Sequence, residues 1–251
     1  MLPGSRSAGL CNSTAALPSP WSLFRNQAGI AGQKDIWIGI HHGNKFFIKE
    51  LGQSAIGLCI PVKPGTLGVT LVHFGFKQFH QTKTGLNYGM MLSENLAIGI
   101  GLNFHFVQFL KQYGKTKCIS AEGGITYHPL KELIVGAFLV NPTGSYLTSP
   151  NDMVSSFGIG LAYIPNDNLI ITLQGEDSNQ STPVFRCGIE YNPRGKTSIR
   201  TGIASNPKIM AFGLGWEYDR FVFDLSFSYH QFLGYTPELS VAYTFENRVI
   251  K

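Results

Sequence analysis

Gly124-Ile125-Thr126-Tyr127-His128-Pro129 is a phrase that the chain repeats with variations. It returns as Gly160-Leu161-Ala162-Tyr163-Ile164-Pro165, as Gly188-Ile189-Glu190-Tyr191-Asn192-Pro193 and as Gly213-Leu214-Gly215-Trp216-Glu217-Tyr218. Each copy closes an alternating run, sets an aromatic on the same face as the preceding Ile or Leu, and then meets turn residues. In a strand, residues i, i+2 and i+4 share a face. Tyr127, Tyr163, Tyr191 and Trp216, joined by Tyr243 near the C-terminus, are therefore expected to end their apolar faces at one level. A belt of Tyr and Trp above alternating apolar residues is what a membrane interface selects in a transmembrane barrel. The competing architecture is a soluble β-sandwich with aromatic strand ends.

Outward from these phrases, alternation covers almost everything after residue 34. Fourteen strands are expected, near 35–41, 46–62, 66–77, 84–92, 95–109, 117–127, 132–140, 155–164, 168–176, 183–191, 197–204, 207–217, 220–230 and 237–246. The second run is long enough to bend near Gly52 or to count as two strands. The number is even, and the spans suit tilted strands of roughly 9–11 residues crossing a bilayer. Tight links rich in Pro, Gly, Asn and Asp follow the even strands, as at Lys63-Pro64-Gly65 and Pro165-Asn166-Asp167. Most links after the odd strands read as longer and polar: 77–83, 110–116, 141–154, 177–182 and 231–236. Short turns at one end and long loops at the other belong to outer-membrane barrels.

The faces follow from the same period. Leu96, Ile98, Ile100, Leu102, Phe104 and Phe106 oppose Ala97, Gly99, Gly101, Asn103 and His105. Phe221, Phe223, Leu225, Phe227 and Tyr229 oppose Asp224, Ser226, Ser228 and His230. Large apolar side chains outside and small or charged ones inside require lipid around a closed ring. An open edge in hydrocarbon leaves backbone groups unsatisfied at several kcal/mol each. The expected fold class is thus all-β, a 14-stranded antiparallel transmembrane β-barrel in the outer membrane of a diderm bacterium, over residues 35–251. Residues 1–34, rich in Ser, Ala, Gly and Pro, show no alternation beyond a short helix expected near 21–26.

Composition narrows the function classes. The chain has 251 residues, 43% hydrophobic and only 14% charged, so it is folded rather than disordered. No apolar run reaches the length of a spanning helix, which says nothing against a barrel. The net charge of +5 is dispersed over turns, without the cluster or aromatic platform of a nucleic-acid binder, so no nucleic-acid partner is expected. Gly-x-Gly occurs at 99–101, 158–160 and 213–215, but inside strands and without a following helix. No GxSxG, HExxH or Walker sequence is present, and no enzyme, cofactor or metal site is expected. His41, His42, His80 and His230 read as solvated outer-loop residues. Cys11, Cys59, Cys118 and Cys187 lie far apart, in no metal spacing, and the sequence does not pair them. No small residue directly precedes Cys11, which argues against a lipid anchor. No secretory signal is legible after Met1, which implies a mature chain or a misplaced start.

The inward charges are the most informative polar set: Glu122, Glu176, Arg186, Glu190, Arg200, Glu217, Asp224 and Glu238 share inward parity. If the turn at 192–197 is tight, Glu190 and Arg200 face each other across neighbouring strands. Such charges either line a water path or pair with one another and hold the N-terminal segment.

That segment carries a family resemblance. Gly4-Ser5-Arg6-Ser7-Ala8-Gly9-Leu10, followed by Trp21-Ser22-Leu23-Phe24-Arg25-Asn26-Gln27-Ala28-Gly29-Ile30-Ala31, resembles the N-terminal signature of the PorV/PorQ-type barrels, relatives of the fatty-acid channel FadL. There an Asn-Gln-Ala-Gly-Leu-Ala or Asn-Pro-Ala-Gly-Leu-Ala phrase precedes the first strand. The motif covers about thirty residues, and the strand number extends the likeness along the chain. The resemblance implies that residues 1–34 form a lumenal plug carried by Arg6, Trp21, Asn26, Gln27 and Gly29, with Asn26 and Gln27 in its anchoring turn. Two functions follow: a plugged accessory in type IX secretion or surface-protein assembly with a protein partner, or a FadL-like transporter of a hydrophobic ligand. Outer-membrane lipid surrounds either. A transporter is expected to show an apolar pocket near the plug and a kinked strand opening the wall. The inward faces, read as polar and small, favour the accessory.

Overall fold

A computed structural model describes residues 1–108, 114–145, 153–193 and 195–245. The strands are β1 (Ile36–Asn44), β2 (Gly52–Pro61), β3 (Gly65–Phe76), β4 (Phe79–Ser93), β5 (Leu96–Gln108), β6 (Lys115–Leu130) and β7 (Leu133–Val140). They continue as β8 (Ser156–Asn166), β9 (Leu169–Ser178), β10 (Ser181–Tyr191), β11 (Thr197–Ala204), β12 (Ile209–Tyr218), β13 (Phe221–His230) and β14 (Gly234–Phe245). Each pairs antiparallel with its sequence neighbours, and β14 returns to β1 from Ile36↔Phe245 to Gly43↔Glu238, closing the barrel. Closure leaves no edge strand.

Alternation sets the two surfaces. Ile100, Leu102, Ile119, Phe185, Met210 and Trp216 stand exposed on the exterior, while Asn87, Asn103, Glu122, Glu190, Arg200 and Asp224 are buried on the other face. A polar interior inside an apolar exterior is stable only where lipid wets the outside. The fold is a membrane-spanning barrel, and the sandwich is excluded because one ring holds all fourteen strands.

Several expectations are corrected. Residues 45–51 belong to no strand; they form two 3-10 turns, Lys45–Phe47 and Lys49–Leu51, and β2 starts at Gly52. The links 77–78 and 179–180 are two residues each and 231–233 is three, not long loops. An antiparallel ladder needs no apolar face to keep pairing, so polar residues there extend the hairpins. For the same reason His41, His42, His80 and His230 lie in strands rather than loops, with His41 buried 3.6 Å from Glu238. Register shifts fall at Met91/Ser93, Tyr127/Leu130 and Tyr163/Asn166 near one end and at Ser181/Val184 near the other. No mid-strand break opens the wall among the described residues. Parts of the expected loops 110–116 and 141–154, of the turn at 192–197 and of the last strand (residue 246) lie outside the described residues.

The N-terminal segment has one α-helical turn, α1 (Ser5–Gly9), which its sequence did not signal, and 3-10 turns at Pro20–Phe24 and Gln27–Ile30. Pro20 starts the second of these, where its missing N–H is not needed. The segment packs against the inward faces of strands around the ring. Glycines make the approach possible: a Cβ at Gly99 would strike the backbone of Gln27 and Ala28, and one at Gly124 the Asn26 side chain.

Candidate functional site

The site is built where residues 1–34 meet the inward faces. Asn26 and Gln27 sit against β5 and β6. The Asn26 side chain accepts from Ala28 N–H (3.2 Å), capping the turn at Gln27–Ile30. Its Nδ2 donates to Ala15 O (2.6 Å), Ile125 O (3.2 Å) and Thr126 Oγ1 (3.4 Å). Gln27 Nε2 donates to Glu122 Oε2 (2.8 Å), whose other oxygen accepts from Lys83 Nζ (2.5 Å). Gly29 is required next to Ser22, since a Cβ there would lie 2.5 Å from the hydroxyl.

Two charged clusters occupy the facing arc. Arg6 donates to Glu190 from Nε and Nη2, both at 2.9 Å, a bidentate pair. Glu190 is the register partner of Arg200, which donates from Nε to Glu190 Oε2 (2.6 Å) and from Nη1 to Asp224 Oδ1 (2.6 Å). Two guanidiniums and two carboxylates thus balance. Burial disfavours the Arg6 cation, but Glu190 and then Asp224 outweigh it, so its pKa is raised. Arg25 and Arg186 share Glu176 Oε2 at 2.5 and 2.6 Å, and Arg25 stacks over the Phe138 ring at 4.5 Å. Two cations on one carboxylate balance less well. Burial accordingly lowers the Arg25 pKa despite Glu176.

The balanced cluster forms one wall of a cleft of ≈ 380 Å³ at the short-turn end. Its apolar lining is Pro20, Trp21, Trp37, Ile170, Val222 and Ala242, of which Ile170 is the register partner of Glu190 and Val222 that of Glu217. Trp21 meets Trp37 edge-on at 5.0 Å, and both are buried with Leu23, Phe24 and Ile30. The reading of the inward faces as merely small and polar is corrected here. Ile36, Ile38 and Ile40 point outward, so parity alone could have turned Trp37 inward; residues 1–34, without a period, could not reveal that Trp21 meets it. A dry apolar cavity of ~150 Å³ already holds benzene. The cleft therefore has room for a small apolar molecule against the indoles, with charged side chains in the same lining for an amphiphile's head.

Of the residues singled out from sequence, Arg6, Trp21, Glu190, Arg200, Glu217 and Asp224 converge on this cleft. Glu217 is exposed at its rim. Arg186 and Glu122 lie in the separate clusters above, and Glu238 beside His41. Tyr127, Tyr163, Tyr191, Trp216 and Tyr243 stand on the exterior near the ends of β6, β8, β10, β12 and β14, all at the short-turn rim. Arg25, Lys83 and Phe138 were missed because nothing local marks them as partners of residues about forty to 150 positions away. Among the described residues no group of three His, Cys, Asp or Glu side chains is placed to hold a metal, and the four cysteines are free.

No protein-family model and no curated protein matches this chain. Solved structures do. The CymD monoaromatic hydrocarbon channel superposes with a TM-score of 0.75 at 12% identity, covering 97% of both chains. The Ralstonia pickettii toluene transporter TbuX gives 0.69 at 10%, covering 96% of this chain and 97% of that one. A Pseudomonas aeruginosa FadL homologue gives 0.69 at 10%, covering 97% and 98%. At such identities the likeness speaks for architecture: this chain has the fold of the FadL-type outer-membrane channels along nearly its whole length.

Proposed function

We propose that this protein is an outer-membrane channel for small hydrophobic molecules, with residues 1–34 as a plug in its lumen. The observation that carries the proposal is the cleft in which Trp21 and Trp37 meet the Arg6–Glu190–Arg200–Asp224 cluster, partly walled by the N-terminal segment itself. Several neighbours of the same fold are named as channels for toluene or other monoaromatic hydrocarbons, which supports this reading over a secretion accessory. The exterior aromatics at the short-turn rim act as the interfacial belt. In this role the barrel carries no catalytic group; the side chains bind, exclude water and hold the plug.

The accessory reading of the PorV/PorQ type rests on the N-terminal phrase, and a plug that never moves would suit it. Uptake separates the two. Cells with an intact lipopolysaccharide leaflet, carrying the barrel, are expected to take up toluene faster than vector controls, and Trp21→Ala to change that rate. Uptake equal to the control, together with a stable protein partner recovered from native outer membranes, would replace the channel by the accessory.

A further inference from the structure

The three longest strands, β4, β5 and β6, are neighbours, and β3 adjoins them. β3, β4, β5 and β6 have 12, 15, 13 and 16 residues, against 8 in β7 and β11. A tilted strand crosses hydrocarbon in roughly 9–11 residues, so this arc rises past the apolar layer at the end opposite the short turns.

Its exterior face changes character there. Leu71, Thr84, Phe104 and Ile119 form a mostly apolar cross-strand row. The next row outward is His73, Thr82, Phe106 and Lys117, and the one beyond it carries His80, Gln108 and Lys115. These side chains make one patch. His73 Nδ1 lies 3.2 Å from Thr82 Oγ1, the His73 and His80 rings are 5.6 Å apart, and His80 is 6.3 Å from the Phe106 ring, with Lys115 Nζ 5.9 Å from the same ring. The only carboxylate in the four strands is Glu122, which faces inward and is bonded to Lys83 and Gln27. Among the described residues, Lys115 and Lys117 meet no carboxylate.

We propose that this patch binds the phosphate of an anionic glycolipid in the outer leaflet. Lys115 and Lys117 supply charge, and His73, His80 and Gln108 supply further hydrogen-bonding groups. Lipid is favoured as the occupant because the patch continues the lipid-facing face without interruption: acyl chains along Leu71, Phe104 and Ile119 bring a headgroup to this height. Cationic side chains just above hydrocarbon attract anionic headgroups, and ammonium groups bind phosphate strongly. The inference rests on the membrane reading, with this end facing out, and is independent of what the cleft transports.

The test is native mass spectrometry of the detergent-purified barrel with lipid A, dephosphorylated lipid A, phosphatidylcholine or inorganic phosphate. Wild type is expected to retain one lipid A, and K115E/K117E to retain it at least tenfold less while still migrating as a folded barrel in unheated gels. K115R/K117R is expected to restore retention. Equal retention by K115E/K117E, equal retention of dephosphorylated lipid A or phosphatidylcholine, or displacement by equimolar inorganic phosphate overturns the assignment. Orientation is checked apart from it: Lys117→Cys in intact cells should react with a membrane-impermeant maleimide above the wild-type background, and failure to do so removes the proposal's premise.

Discussion

The arc from β5 to β6 and the arc from β9 to β13 hold the same N-terminal segment by different chemistry. On the first, uncharged Asn26 and Gln27 are fitted against Gly99 and Gly124, with no slack for another atom. On the second, Arg6 and Arg25 reach carboxylates that are shared with barrel arginines. A neutral amide bond such as those of Asn26 depends on shape and gives about 1 kcal/mol, and the Gln27 bond to the Glu122 carboxylate about 1.5–3 kcal/mol. An ion pair depends on its partner: a charge left alone when a buried pair is broken costs about 3–5 kcal/mol. One side therefore sets where the segment sits, and the other how firmly it stays.

Substitutions can break that contrast. Glu190→Gln should have the largest effect, because both Arg6 and Arg200 lose their common carboxylate; a loss of about 3–5 kcal/mol is expected. It should appear as a lower midpoint in urea and faster proteolysis within residues 1–34, and as raised conductance in planar bilayers. An unchanged midpoint and a silent bilayer would mean the ionic side holds nothing. Gly124→Val should cost about 1–3 kcal/mol by overpacking, since its first carbon already collides with Asn26. Hydrogen exchange should then quicken in residues 24–31 and stay slow around Arg6. Exchange that quickened equally at both places would merge the two arcs into one unit. Asn26→Ala should lose about 1–2 kcal/mol, the cap and its Nδ2 bonds together. Thermal unfolding measures this directly, and a drop as large as that of Glu190→Gln would reverse the ranking.

The mildest probe is Cys11, just after α1. Burial pushes its thiol up to about 12 from an ordinary 9.0. A group whose folded pKa lies above its unfolded one stabilises fully below the unfolded value. Stability should therefore fall as pH rises from about 9 towards 12, and Cys11→Ala should flatten that slope. At pH 8 Cys11 should resist iodoacetamide in the wild type and react faster in Glu190→Gln, which makes it a reporter of the loosened segment.

Much of this architecture is legible locally. Leu96 to Phe106 and Phe221 to Tyr229 announce their outer faces through a two-residue period, and Pro165-Asn166-Asp167 announces its turn. The strand number and the inward parity of Glu190, Arg200 and Asp224 follow without any coordinates. Residues 45–51 and the histidines resisted such reading, because a polar stretch serves equally well as a loop or as hairpin continuing beyond the lipid. The N-terminal segment resisted it for another reason. With no period, nothing in it states which face it meets.

What the sequence by itself determined, then, is each strand's inside and outside, since side-chain alternation is a property of consecutive residues. What only the tertiary structure decided is who meets whom: β14 on β1, Arg6 on Glu190 184 residues away, Trp21 on Trp37, and Lys115 in one cross-strand row with His80 through Gln108. Those meetings depend on ring closure and on register between strands. Both are properties of strand pairing around the whole ring, and no local pattern encodes them.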